Sequence, residues 1–165
     1  MKKVFFLSLL ICLTGTGCYS FKGITIPTDV QTFFVDNFQN NAIAAPGDIS
    51  QRFAEALRTK IRNESRLVYN EQKPDLEFTG TISRFSLTPE APQAGNTVAL
   101  NKLEIVIAVD FTNNKDESKN WKNKQFSFFR TFGSDQDFIS IQDGLIKDIF
   151  DQILENIFNE AFTGW

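Results

Sequence analysis

Residues 75–87 read DLEFTGTISRFSL, and residues 97–112 read TVALNKLEIVIAVDFT. Both alternate apolar and polar side chains over a long run, the period-two mark of a strand with one buried face. In the first, Leu76, Phe78 and Ile82 stand against Glu77, Thr79, Thr81 and Ser83. In the second, Leu103, Ile105, Ile107, Val109 and Phe111 share a face. The TPEAPQAGN segment between them (88–96) has turn composition. The pair predicts a long antiparallel hairpin, and its surroundings decide the fold.

The alternation reverses near the shared turn. Phe85 and Leu87 are apolar on odd positions after the even Ile82, while Val98 and Leu100 are even ahead of the odd run from Leu103. A register pairing Leu87 with Val98 and Phe85 with Leu100 also pairs Ile82 with Leu103 and Phe78 with Ile107. Both reversals then fall at one rung, around Ser83, Arg84, Asn101 and Lys102. Two accounts stay open. Matched bulges, or a core that wraps the tip, would keep these side chains inside. Otherwise Phe85, Leu87, Val98 and Leu100 form an apolar patch on the face opposite the helices, where a protein or lipid partner would bind.

Outward from the hairpin, WKNKQFSFFRTF (121–132) predicts a third long strand with Phe126, Phe128 and Phe132 on one face and Phe129 on the other. The polar turn NNKDESKN (113–120) leads into it. Upstream, VQTFFVDNF (30–38) reads as a strand and QNNAIAAPG (39–47) as a loop. Ile49, Phe53, Leu57 and Ile61 recur every fourth residue and predict a one-faced helix from Asp48 to about Ser65, with Asp48 and Gln51 as a capping box. A second helix, from Ser140 to about Phe162, carries a doubled apolar stripe that includes Ile146, Ile149, Phe150, Ile153, Ile157 and Phe158. The order β-α-β-β-β-α predicts an α+β domain, two helices on one face of a four-stranded mixed sheet whose last three strands form a meander.

The 165 residues suffice for one domain. Phenylalanine stands out, with 18 copies against two Tyr and two Trp, and it buries area without needing a hydrogen-bond partner. His is absent, which removes the usual proton shuttle and the commonest metal ligand, so no metal or other cofactor is expected. A formal net charge of −3 argues against nucleic acid as a partner.

At the N-terminus, Lys2 and Lys3 precede an apolar run from Val4 to Leu13, and Gly15, Thr16 and Gly17 lead to Cys18. The run is too short to cross a hydrocarbon core of about 30 Å, so it predicts a signal peptide over 1–17. Ending in Gly-Cys, it resembles a bacterial lipoprotein signal, whose cysteine is acylated and becomes the first mature residue. Gly15 stands where the usual motif has Leu, and the alternative is a secretory signal with a leftover thiol at Cys18. Lipidated, residues 18–29 form a connector from the membrane to a single domain spanning 30–165. Cleavage would remove Cys12 and acylation would occupy Cys18, leaving no free thiol for a nucleophile or soft metal.

GCYSFKG after the signal, FFVDNFQN as first strand, DLEFTGTISRFSLTP as second, and the Phe-rich last strand and helix together resemble the LptE family of lipopolysaccharide-assembly lipoproteins. The Phe- and Asn-rich style is similar to that of Bacteroidetes-type members. The resemblance implies a non-enzymatic protein anchored on the periplasmic side of the cell outer membrane. It implies a plug and assembly partner of an LptD-type β-barrel that delivers lipopolysaccharide to the surface. For direct contact with lipopolysaccharide the sequence offers Lys119, Lys122 and Lys124 around Trp121, with Lys115 nearby, and a second pair, Arg84 and Lys102. The plainer account of the first group is a solvated loop whose charges alternate with Asp116 and Glu117. A rival reading is an outer-membrane lipoprotein adaptor of a different secretion or cell-envelope complex. A hydrolase would need two or more of Asp36, Glu104, Asp110 and Ser127 gathered in one cleft.

Overall fold

The computed structural model describes residues 26–90 and 99–163. In chain order the elements are β1 (Thr32–Val35), β2 (Gln39–Asn40), α1 (Ile49–Glu64), β3 (Val68–Tyr69), β4 (Leu76–Glu90), β5 (Leu100–Asn113), a 3-10 turn (Glu117–Lys119), β6 (Trp121–Gly133) and α2 (Phe138–Phe162). They form a single six-stranded sheet in the order β3-β1-β4-β5-β6, with β2 paired to β4 beside β1. The pairings β4–β5 and β5–β6 are antiparallel, while β1 and β2 run parallel to β4.

The α+β class, the mixed sheet and the meander are as the sequence predicts. The number of strands is not. β2 and β3 lie in stretches with no strand periodicity, because two residues cannot display a period. The first strand is likewise trimmed to four residues, with Phe33 and Val35 buried as its alternation requires.

The hairpin register also differs. Phe78 lies opposite Phe111, Ile82 opposite Ile107, Phe85 opposite Ile105 and Leu87 opposite Leu103, with a bulge between Ile82 and Arg84. Ser83 is the additional residue, and its hydroxyl donates to the Val106 carbonyl at 3.0 Å. One inserted residue exchanges odd for even along β4. Phe85 and Leu87 therefore stay on the helix side with Phe78 and Ile82, and β5 needs no matching bulge.

The core fills the space between sheet and helices. Ile49, Phe53, Leu57 and Ile61 of α1 are fully buried, as are Ile146, Ile149, Ile153 and Ile157 of α2. Phe53 meets Phe38 and Phe150 edge to face at ring separations of 5.0 and 4.9 Å, which joins the β1–β2 link, α1 and α2 in one contact line. The two helices run parallel, pinned by Arg52–Asp143 at 2.9 Å and Lys60–Glu155 at 2.7 Å. α2 returns antiparallel along β6, with Lys124–Glu160 at 2.6 Å and Arg130–Asp148 at 3.8 Å.

Both helix starts correct the sequence reading. Asp48 makes no side-chain cap, so there is no capping box; the Ile49 amide donates to the Pro46 carbonyl instead. α2 begins two residues before Ser140, because Asp137 accepts from the Ser140 amide and acts as its cap.

Two glycines give opposite expectations. A Cβ on Gly80 would run into the Ala108 carbonyl oxygen and sit 2.6 Å from the Phe38 ring, so only glycine lets Phe38 lie on β4. A Cβ on exposed Gly144 of α2 meets nothing within 4 Å. Gly80→Ala should lower stability by about 1–3 kcal/mol through overpacking. Gly144→Ala should raise it by about 0.5–1 kcal/mol by removing helix-interior glycine. Urea unfolding of the two variants checks both signs.

Candidate functional site

The hairpin residues divide between two faces. Phe85 is 6% exposed and belongs to the core, so it leaves the proposed partner patch. Leu87, on the same helix-side face, is 45% exposed where the helices no longer cover β4. Leu100 pairs with Glu90 and Gly133 on the opposite face and is half-buried. Val98 lies outside the described residues. The four predicted residues thus do not make one patch. At the first turn of α2, Ile139 is 80% exposed, an apolar contact that helix periodicity alone does not single out.

The helices leave the other sheet face bare. Its upper half presents Arg84, Lys102, Glu104 and Phe129, brought together by the pairings Arg84–Val106, Glu104–Phe129 and Lys102–Thr131. Phe129 is 49% exposed, and the Lys102 ammonium stands 5.4 Å from its ring centre. Arg84 lies 3.7 Å from Glu104, and Lys102 lies 4.0 Å from Glu90. Such exposed, stretched ion pairs are worth about 0–1 kcal/mol, so either cation can turn to an anionic ligand at little cost. The ring beside them supplies an apolar surface. Phe129 was legible as the one phenylalanine of FSFFRTF that breaks phase, but nothing in the strand pattern tied it to Lys102.

The second predicted group lies elsewhere and is already engaged. Trp121 stacks on Phe111 at 5.4 Å, half-buried against the core. Lys124 bonds Glu160 and sits 5.9 Å from the Trp121 ring. Lys115 bonds Asp75 at 3.2 Å, Lys119 is also engaged, and Lys122 is exposed. The loop is organised from within: buried Asn113 accepts from the Lys115 and Asp116 amides, and Asp116 accepts from Ser118. Lys124 pairs opposite Val109, seven residues along β5 from Lys102, which is about 24 Å of strand. The two cation groups are separate sites.

Cys18 lies outside the described residues. The first described residue, Ile26, lies at the end of the sheet where β4 starts and β5 stops. Arg66 donates to the Ile26 and Pro27 carbonyls there. Asp75 accepts from the Gln31 amide at 2.8 Å, the Thr32 amide at 3.0 Å and the Thr32 hydroxyl at 3.1 Å. Burial pushes the Asp75 carboxyl up, but the Gln31 and Thr32 amides and Lys115 outweigh it and hold the group below its ordinary value.

The four groups a hydrolase would need do not share one cleft. Glu104 and Ser127 are diagonal neighbours on the open face, with Glu104 turned to Arg84, while Asp110 lies six residues along β5 accepting from the Asn123 amide, and Asp36 follows β1 across the sheet. Among the described residues no cluster of three or more acidic, His or Cys side chains could hold a metal ion. A groove of about 1030 Å³ between α1 and α2 is a seam of paired charges around Arg52 and Lys60.

The family model for LptE, lipopolysaccharide-assembly, matches residues 30–161, most of the chain and, but for Phe162, all of its described strands and helices. The chain belongs to the LptE family. No curated protein sequence matches it. Solved structures with the same fold include the uncharacterized lipoprotein B of Nitrosomonas europaea, at 11% identity and TM-score 0.54 over 82% of this chain and 87% of that one. A hypothetical protein of Chlamydia trachomatis matches at 8% identity and TM-score 0.53, over 79% and 97%. PelC of Paraburkholderia phytofirmans, a dodecamer, matches at 8% identity and TM-score 0.51, over 84% and 93%. At such identities the likeness is one of fold.

Because the Asp75 carboxyl is depressed in the folded state, its stabilisation is complete above about pH 4 and is lost as pH falls through the lower folded value. Asp75→Asn should cost about 1–3 kcal/mol at pH 7 and flatten the acid limb of the stability profile. Urea unfolding from pH 7 down to pH 3 measures both.

Proposed function

We propose that this LptE member is an outer-membrane lipoprotein, anchored through Cys18 on the periplasmic side, that acts as plug and assembly partner of an LptD-type β-barrel in lipopolysaccharide transport. The observation that carries this reading is the family match over residues 30–161. Several features support it. Seven residues separate Cys18 from Ile26, a leash of about 25–30 Å over its eight steps when extended. The hairpin reaches away from that end by the length of β4, 15 residues, or about 50 Å. A stiff body on a short leash, with apolar side chains at its far end and an uncovered sheet face, suits insertion into a larger host.

Direct contact with lipopolysaccharide is assigned to the open face. Arg84 and Lys102 meet the lipid A phosphates and Phe129 meets acyl chain, in preference to the loop cations, whose charges are mostly spent on Asp75 and Glu160.

Detergent extraction of the outer membrane with the tagged full chain should recover a large β-barrel at one-to-one ratio, and Cys18→Ala should move the protein to the soluble periplasmic fraction. Recovery of a different stoichiometric partner and no barrel would refute the plug role. For the ligand, Arg84→Ser with Lys102→Ser should weaken binding of purified lipopolysaccharide at least tenfold at low salt. Lys122→Ser should change it less than twofold. Equal effects would remove the open-face assignment.

A further inference from the structure

The two edges of the sheet are managed in opposite ways. β3 closes one edge with two residues, and the upper half of β4 carries the Ser83 bulge, Arg84 and Pro89. All of these discourage strand addition. The other edge, β6, is 13 residues long, and among the described residues no strand lies beyond it.

The phase of its ladder is fixed by the Ser134 amide, which donates to the Ala99 carbonyl at 3.0 Å. By alternation, Lys124, Phe126, Phe128, Arg130 and Phe132 turn their backbone groups to β5, and Gln125, Ser127, Phe129 and Thr131 turn theirs outward. Among the described residues the only bond to these outward groups is a 3.4 Å contact from Arg130 to the Phe129 carbonyl. The run 125–131 holds no proline, no bulge and no outward lysine. The irregularity at Asn123, whose φ is 50°, guards only the end of the strand. Beside the run lies a groove of about 500 Å³, walled by Gln125, Phe126 and Ser127 on the strand and by Asn156, Asn159, Glu160 and Thr163 on or next to α2, with the Glu160 charge already paired to Lys124.

We infer that the β6 edge, over Gln125–Thr131, accepts an extended strand from another protein by sheet augmentation. The occupant is a bare strand with no helix on its flank. It carries uncharged polar side chains toward α2 and an acidic residue beside exposed Lys122, since β6 holds Lys122, Lys124 and Arg130 and no acid.

A second copy of this chain does not fit. An antiparallel two-fold pair would bring two α2 helices, each lying along its own β6, over strands about 4.8 Å apart, and packed helices need about 8–10 Å. A parallel two-fold pair would set side chains of opposite faces on one rung, out of phase with the pleat. Head-to-tail pairing would offer β6 only the two residues of β3.

The test compares amide hydrogen exchange of the full lipoprotein purified alone with that of the assembly it is co-extracted with. Exchange at Gln125, Ser127, Phe129 and Thr131 should slow at least tenfold in the assembly. Ser127→Pro removes one outward amide, and Ser127→Lys keeps the amide but adds an edge charge. Both should cut co-extraction at least tenfold while Ser127→Ala retains it, with melting temperatures of the isolated proteins confirming that all three fold. Unchanged exchange, or normal co-extraction of both the Pro and Lys variants, overturns the inference. So does a disulfide-linked homodimer formed by Thr131→Cys, since it names a copy as the occupant. A photocrosslinker at Gln125 separates this inference from the plug reading. Capture of a strand from a non-barrel protein upholds the augmentation and removes the plug. A co-extracted barrel with the four amides unprotected keeps the plug and removes the augmentation.

Discussion

The fold turns on one inserted residue. Without Ser83, the parity of β4 would send Phe85 and Leu87 to the bare face while Phe78 and Ile82 faced the helices, and no single layer could cover both sets. With it, the whole odd-numbered face of β5 finds apolar partners on β4 from Phe111 to Leu103. The hydrogen bond from Ser83 to the Val106 carbonyl occupies a backbone group that the bulge would otherwise strand. The extra twist that a bulge brings accompanies the point at which β2 leaves β4, so the lower end of the sheet is five strands wide, β3-β1-β4-β5-β6, and the upper half is three.

Around that frame, aromatic packing substitutes for polar organisation. The line Phe38–Phe53–Phe150 crosses from sheet edge to both helices, and Phe78, Phe111, Trp121 and Phe126 continue a second line under α2. This accounts for the phenylalanine excess. Most of these rings belong to the interior, and Phe129 is the exception that the open face displays.

What the sequence disclosed follows from which features have a period. β4, β5, β6 and the two helices each repeat often enough to reveal a buried face, and those faces are the observed ones except in β4 beyond Ser83, where the bulge keeps Phe85 and Leu87 on the helix side. β2 and β3 are too short to repeat. The register was misread because two parity changes in β4 and β5 looked matched, although only the one in β4 is a bulge; Leu100 simply faces outward. Asp48 and Asp137 are alike as caps in sequence, and only backbone geometry decides that Asp137 takes the role. At the site, residue types pointed to cations but not to which are free. That Lys124 is spent on Glu160, and Lys115 on Asp75, depends on contacts between elements distant in the chain.

The clamp of Asp75 on Gln31 and Thr32 has a mechanical meaning. The chain from Ile26 leads into the start of β1, which runs parallel to β4. A pull applied at that end and directed along β1 loads the rungs of β1 and the three bonds to Asp75 together, in shear, where an antiparallel hairpin pulled at its open end would peel one rung at a time.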